Sequence, residues 1–83
     1  MKSNLVHLVI SECSKKAITV AEFARRMGIG EKSAYNGYFN ATLKRTHNYR
    51  VSTILALSEA LETDPIVIFN ACLADRKEWL KNG

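Results

Sequence analysis

The sequence predicts a compact all-α fold of five helices that forms a single domain over residues 1–83. Apolar residues recur at intervals of three and four through most of the chain, which is the spacing of one helix face. Capping residues, glycines and one proline divide this pattern into separate segments. A chain of 83 residues can bury one small core, so we expect no second domain.

The first predicted helix covers about residues 3 to 15. Its inward face carries Leu5, Leu8 and Val9 at helical spacing. Lys15 and Lys16 follow at the end of the segment, where positive charge complements the negative C-terminal end of a helix dipole. We expect this helix to pack beneath the second and third.

The second predicted helix, about residues 20 to 27, has both a start signal and a stop signal. Thr19 can cap its first turn, and Glu22 three residues later completes a capping-box pattern. Gly28 suits the left-handed conformation in which many helices end. The apolar residues between these signals share one face: Phe23, Ala24 and Met27.

The third predicted helix covers about residues 31 to 40, with Gly30 as its cap. Its apolar stripe, interpreted as core, consists of Ala34, Tyr35, Tyr38 and Phe39. Gly37 inside the helix costs about 1 kcal/mol relative to alanine, which indicates strain or the close approach of another backbone. A short helix, a glycine turn and a second short helix form the layout that places a recognition helix in the major groove of DNA.

Residues 41–51 show no helical stripe, so we expect a basic surface loop, with a small β-hairpin as the alternative. Ser52 is predicted to cap a fourth helix over about residues 53 to 61. The residues expected to point inward are Ile54, Leu55, Leu57 and Leu61. Asp64 followed by Pro65 predicts the start of a fifth helix, and no stop signal precedes Lys81, so this helix is expected to be long.

Charge is unevenly distributed along the chain. Residues 1–52 contain nine Lys or Arg and three acidic residues, whereas residues 53–83 contain three basic and five acidic residues. The positive part coincides with the predicted second and third helices, where a phosphate backbone would lie. The alternative is that these side chains only solvate helix faces.

Several other classes of function are disfavoured by the sequence. Cys13 and Cys72 are expected to be reduced, and together with His7 and His47 they lack zinc-ligand spacing, so we expect no metal and no cofactor. No nucleophile–base pair, carboxylate pair or phosphate-binding loop is recognisable, so we expect no enzyme and no small-molecule substrate. Polar residues interrupt the apolar N-terminal run before it reaches signal-peptide length, and we expect a cytoplasmic protein without a membrane role.

Three segments resemble the phage Cro and repressor family of helix-turn-helix proteins. They are Thr-Val-Ala-Glu-Phe-Ala-Arg-Arg-Met-Gly-Ile at 19–29, Thr-Ile-Leu-Ala-Leu-Ser-Glu-Ala-Leu at 53–61 and Asp-Pro-Ile-Val-Ile-Phe at 64–69. The resemblance implies a five-helix, lambda-repressor-like DNA-binding domain with the helix-turn-helix at helices two and three. It also implies a sequence-specific transcriptional regulator that binds double-stranded operator DNA, in particular a repressor of phage or mobile-element type. The chain departs from the family at Val20, where a glutamine that contacts phosphate is common.

The exposed face of helix three would then read bases. Its candidate residues are Lys32, Ser33, Asn36 and Asn40, because Lys donates to guanine, Asn pairs with adenine and Ser adapts to either. Thr19, Lys44, Arg45 and Arg50 would contact phosphates and set the orientation. An ordinary solvated helix face is the alternative for the first set.

Proteins of this type usually bind as dimers across half-sites about 34 Å apart. We expect a homodimer whose interface includes Ile68, Cys72, Trp79 and Leu80 on the fifth helix, with Leu73 nearby. The alternative for Trp79 is that it folds back onto the core. A second function on the same fold is a protein-interaction module, such as an antirepressor that binds a repressor, which Val20 and Gly37 favour.

Overall fold

The computed structural model describes residues 3–40 and 50–82, and within these ranges it contains helices and no strand. The helices are α1 (Asn4–Lys15), α2 (Val20–Met27), α3 (Glu31–Ala34, continuing as a π-helix over Tyr35–Phe39), α4 (Val51–Leu61) and α5 (Pro65–Asn82). They form one body with extents of 34 × 24 × 22 Å. The predicted all-α architecture of five helices is confirmed, while the alternatives for residues 41–49 lie outside the described residues.

The core lies where α1, α2, α4 and α5 converge. Its largest fully buried side chains include Leu5, Phe23, Leu57 and Ile68, one from each of these helices. The prediction that Leu55 points inward is wrong, because this side chain is 48% exposed. Positions two residues apart lie on nearly opposite sides of an α-helix, so burial of Leu57 turns Leu55 outward.

Three helices end in the same hydrogen-bonded turn, with a left-handed residue just after the last turn. The left-handed residues are Ala17 (φ 56°), Gly28 (φ 71°) and Glu62 (φ 52°). In α2, the N–H of Ile29 donates to the carbonyl of Ala24 at 3.0 Å, which closes the six-residue ring of a Schellman motif. Equivalent bonds close the ends of α1 and α4. The left-handed conformation was predicted only at Gly28, since residues other than glycine rarely adopt it.

The predicted N-cap is wrong for α4 and confirmed for α5. The helix α4 begins at Val51 with Arg50 as its N-cap, so the predicted cap at Ser52 is wrong. The carbonyl of Arg50 accepts the first helical bonds, which places Ser52 inside the first turn. At α5 the prediction is confirmed, because Asp64 Oδ1 accepts a hydrogen bond of 2.8 Å from the N–H of Ile66.

The far half of α5 is tied to the start of α1. Asp75 is buried, and its carboxylate accepts hydrogen bonds from the backbone N–H groups of Asn4 and Leu5. Ser3 Oγ accepts from the N–H of Val6 at 3.1 Å. These contacts satisfy three backbone donors that a helix start leaves without partners. The long C-terminal helix is therefore part of the fold and not an appendage.

Two basic side chains hold the end of α4. Lys16 Nζ donates to the carbonyls of Leu61 (2.6 Å) and Glu62 (2.7 Å), and Arg26 donates to the carbonyl of Ala60 (2.8 Å). The last carbonyls of a helix have no partners within it and form its negative end. Lys16 and Arg26 thus join the ends of α1 and α2 to the end of α4.

Candidate nucleic-acid interface

The turn between α2 and α3 is set by local contacts. Gly28 adopts the left-handed conformation that ends α2, and α3 begins after Gly30. At the start of α2, Thr19 Oγ1 accepts a hydrogen bond of 3.1 Å from the N–H of Glu22, which confirms the predicted cap. The second half of the predicted capping box is wrong, because the Glu22 carboxylate accepts from the side chains of Arg25 and Arg26 and not from the N–H of Thr19. The carboxylate of Glu22 forms an ion pair with Arg25. The turn therefore presents α3 at the surface directly after a capped, eight-residue helix.

The second half of α3 is a π-helix because of two neighbouring aromatic rings. The N–H of Asn40 donates to the carbonyl of Tyr35 at 2.9 Å, which is the i→i+5 bond of a π-helix. The wider turn places Tyr38 and Phe39 edge-to-face against Phe23, with ring centroids 5.5 and 5.4 Å apart. In a regular α-helix, residue 37 would lie on the same side as buried Ala34, and residue 39 would point away from the core.

The structure of α3 differs from two of the predictions made for it. Tyr35, predicted to belong to the core stripe, is half exposed. Gly37 is exposed, and a Cβ atom built on it meets no described atom within 4 Å, so the predicted close approach of another backbone is absent among the described residues. The glycine lies on the outer side of the wide turn.

All four predicted base-contacting residues are exposed on α3 or at its end. Lys32, Asn36 and Asn40 follow one another at intervals of four residues, with Ser33 beside them. An open cleft of about 460 Å³ borders this surface, and Val20, Glu31, Lys32 and Tyr35 line it. The structure therefore brings these polar side chains onto one solvent-facing strip, next to the start of α2.

The basic residues of α1 and α2 that the structure describes pair with acidic neighbours. Lys15 and Lys16 pair with Glu12 at 3.0 and 2.9 Å. Hydrogen bonds from Lys16, Lys15 and Thr63 lower the pKa of Glu12 to about 2. On α2, the hydrogen bond with Arg25 lowers the pKa of Glu22 and raises that of Arg25. Glu12 and Glu22 each pair with two cations, so these ion pairs balance part of the positive charge of α1 and α2.

The remaining positive charge is concentrated between α3 and α4. Residues 32–58 contain four Lys or Arg and no Asp or Glu. Lys32 and Arg50 are exposed, and within the described residues neither forms a salt bridge. Lys44 and Arg45, predicted to contact phosphate, lie outside the described residues. Counting charges over residues 1–52 missed this long run without a carboxylate, which indicates the basic surface more precisely.

The four residues predicted for a dimer interface do not share one face of α5. Ile68 is 0% exposed, since it packs in the core of the single chain and has no surface left for a partner. Cys72 and Trp79 are half-buried on the same side of the helix. Leu80 is 57% exposed and lies about a quarter of a turn away from Trp79 around the helix, on the outward side. The outward side also carries Ile66, Phe69 and Leu73, at spacings of three, four and seven residues. The prediction placed Leu73 near the interface and missed Ile66 and Phe69.

No group of three His, Cys, Asp or Glu side chains within the described residues could hold a metal ion. Burial raises the pKa of the Cys72 thiol to about 11 and that of Cys13 above its usual value, so neither is an activated nucleophile. No helix in the described ranges combines the length and apolar character that crossing a bilayer requires.

No known protein family, curated protein or solved structure shows significant similarity to this chain.

Proposed function

We propose that the chain is a sequence-specific DNA-binding transcriptional regulator with a lambda-repressor-like helix-turn-helix at α2 and α3. It acts in the cytoplasm as a Cro-like repressor of phage or mobile-element type that occupies operator DNA as a homodimer. The observation that supports this most is the exposed polar strip of Lys32, Ser33, Asn36 and Asn40 on α3. It stands at the start of the 27-residue run that lacks acidic side chains.

The chemistry of the strip suits the floor of the major groove. An Asn side chain forms two hydrogen bonds with adenine, and Lys donates to the acceptors of guanine. Asn36 lies at the centre of the strip, one helical turn from both Lys32 and Asn40. A helix laid along the groove with this face inward would place three polar side chains over successive base pairs.

The flanking contacts would orient the protein without reading sequence. Thr19 is exposed at the positive end of the α2 dipole, next to backbone N–H groups of the first turn. Arg50 is exposed at the start of α4, where residues 41–49 rejoin the described fold. Phosphate groups on the two sides of the groove would meet these two positions, together with Lys44 and Arg45.

Fluorescence anisotropy with labelled duplexes tests the proposal. The probes are the DNA upstream of the protein's own gene and a random duplex of the same length, each titrated at about 50 and 200 mM salt. We expect tighter binding to the upstream DNA and a steep loss of affinity for both duplexes at the higher salt concentration. A folded protein that binds neither duplex at low salt contradicts the proposal.

A second candidate function is a protein-interaction module such as an antirepressor that binds a repressor protein. The cleft between α2 and α3 favours it, because Val20 and half-exposed Tyr35 give an apolar lining at the place where a phosphate contact would lie. Fully folded protein with no DNA affinity, combined with binding to a purified repressor that Tyr35→Glu abolishes, would support this function over the first.

A further inference from the structure

The outward face of α5 carries an apolar stripe that no part of the described chain covers. The stripe consists of Ile66, Phe69, Leu73 and Leu80, whose exposed fractions lie between 37 and 65%. Their spacing places them on one side of the helix, opposite the buried pair of Ile68 and Asp75. Large apolar side chains that line up on a surface helix usually mark a contact with another molecule.

We infer that this stripe is the surface through which two copies of the chain associate, with their α5 helices antiparallel and Leu73 on the two-fold axis. The inference rests on the proposed function in one respect, the homodimer that operator binding requires. It replaces the interface predicted from the sequence with a different face of the same helix, sharing only Leu80.

The spacing of the stripe is self-complementary about Leu73. Ile66 and Leu80 each lie seven residues from it, so in an antiparallel pair Ile66 of one copy faces Leu80 of the other. In the same register Phe69 faces Lys77, whose aliphatic stem can cover the ring while its charge stays in water. A patch that matches its own two-fold image is what a closed dimer of identical chains needs.

The charged residues at the two ends of α5 favour antiparallel over parallel pairing of the two helices. The outer end of α5 carries Lys77 and Lys81, both exposed. Glu78 lies in the same turn but points toward α1, where it accepts a hydrogen bond from the Asn4 side chain. The start of the helix follows exposed Asp64, while exposed Glu62 is already paired with Arg26. Antiparallel pairing places the basic end of one copy beside the acidic start of the other, whereas parallel pairing places like charges together.

The first test measures the mass of the full chain in solution without DNA. Sedimentation velocity is expected to show a dimer of the wild type, and Leu73→Glu is expected to weaken association on the order of 100-fold, because it places two carboxylates together on the axis. The matched control is Leu55→Glu, the same change at a similarly exposed leucine on α4, which should remain a dimer.

Circular dichroism establishes whether each variant is folded. Should Leu73→Glu lose helicity, Leu73→Ser takes its place, since it removes apolar surface without adding charge. A wild type that stays monomeric at about 100 μM, far above the Kd of a micromolar dimer, overturns the inference. So does a dimer that Leu55→Glu disrupts and Leu73→Glu does not.

Disulfide trapping tests the direction of pairing. Oxidised Leu73→Cys should form a covalent dimer, because the two side chains meet at the axis. Ile66→Cys should not, because 14 residues of helix, about 21 Å, would separate the two thiols. The wild type controls for Cys72, which is half-buried and faces the core. Equal trapping of both variants would indicate parallel helices and overturn the antiparallel arrangement.

DNA binding separates failure of this surface from failure of the proposed function. A monomeric Leu73→Glu variant should still bind a single half-site as the wild type does, while its affinity for a two-fold symmetric operator falls. A wild type that dimerises through α5 without binding DNA would leave this inference standing and overturn the regulator proposal. DNA binding by a protein that never dimerises would overturn this inference and the homodimer of the proposed function, and would leave the proposed DNA binding standing.

Discussion

The basic residues of this chain form two groups, and the folded structure uses them differently. Lys16 and Arg26 donate to the last carbonyls of α4 and pair with acidic side chains. Lys32 and Arg50, on either side of residues 41–49, are exposed, and neither forms a salt bridge within the described ranges. A positive residue is thus evidence for a phosphate-binding surface only where the fold leaves its charge without another partner.

The difference between the two groups is tested most directly by replacing one lysine of each group with methionine, which has a side chain of similar length. Lys16→Met should lower the free energy of unfolding by about 2–3 kcal/mol, because the carbonyls of Leu61 and Glu62 lose charged donors. Urea unfolding followed by circular dichroism measures this loss.

Lys32→Met is the matched control. Its unfolding free energy should stay within about 0.5 kcal/mol of the wild type, since Lys32 is exposed, while its affinity for DNA falls. Under conditions where both variants are fully folded, Lys16→Met should bind DNA as the wild type does. If it loses as much affinity as Lys32→Met, the division of the basic residues into two groups is wrong.

Local signals explain why much of the fold was predictable. The bounds of α2 follow from Thr19 and Gly28, and the start of α5 follows from Asp64 and Pro65, because capping acts within a few residues. Ala17 gave no such signal, since nothing in its chemistry favours a positive φ. The end of α1 at Lys15 was nevertheless predicted, because the apolar helical spacing stops there and Lys15 and Lys16 follow.

Tertiary contacts explain what the sequence left open at the candidate sites. The π-helix in α3 depends on both Tyr38 and Phe39 reaching the ring of Phe23, which helical periodicity cannot reveal. On α5 both faces are apolar, so spacing could not show that Ile68 is buried and Ile66 exposed. The strip on α3 was easier to identify, because polar side chains flank a single apolar face.

A sharper test of the α3 surface is Asn36→Ala. If Asn36 contacts a base, the substitution should cost about 1–3 kcal/mol on the specific operator and leave binding to random DNA nearly unchanged. Anisotropy titrations on the two duplexes measure the difference. An equal loss on both would assign Asn36 to the phosphate contacts, and no loss on either would remove α3 from the DNA surface.

Acid should release the contact between Glu12 and Lys16, which belongs to the first group of basic residues. The pKa of Glu12 lies at about 2, below its ordinary value of 4.5, so its pairing with Lys16 stabilises the fold above pH 4.5 and is lost as the pH falls toward 2. Glu12→Gln should lower stability at neutral pH and flatten its decline in that acid range. Urea midpoints measured between pH 2 and 7 test this, and an unchanged acid profile would contradict it.

The second group can be tested through the salt dependence of DNA binding. Arg50→Ala should weaken binding to every sequence and reduce the slope of log affinity against log salt by about one. Lys44→Ala and Arg45→Ala are expected to do the same. Arg25→Ala is the control, because it removes the same charge from a residue already paired with Glu22, and its slope should match the wild type. Equal slopes for Arg25→Ala and Arg50→Ala would show that only net charge matters.

The smallest effect concerns the helix end that Lys16 anchors. Ala17 adopts φ 56°, a conformation that costs an alanine about 1–2 kcal/mol, whereas glycine adopts it without strain. Glycine also makes the unfolded chain more flexible, which offsets about 0.4–1 kcal/mol of this gain. Ala17→Gly should therefore stabilise the protein by about 0.5 kcal/mol. Ala21→Gly, at an exposed position in α2, should destabilise it by up to about 1 kcal/mol. Urea unfolding of the two variants side by side distinguishes them, and a loss of stability in Ala17→Gly would show that the left-handed end of α1 does not form in solution.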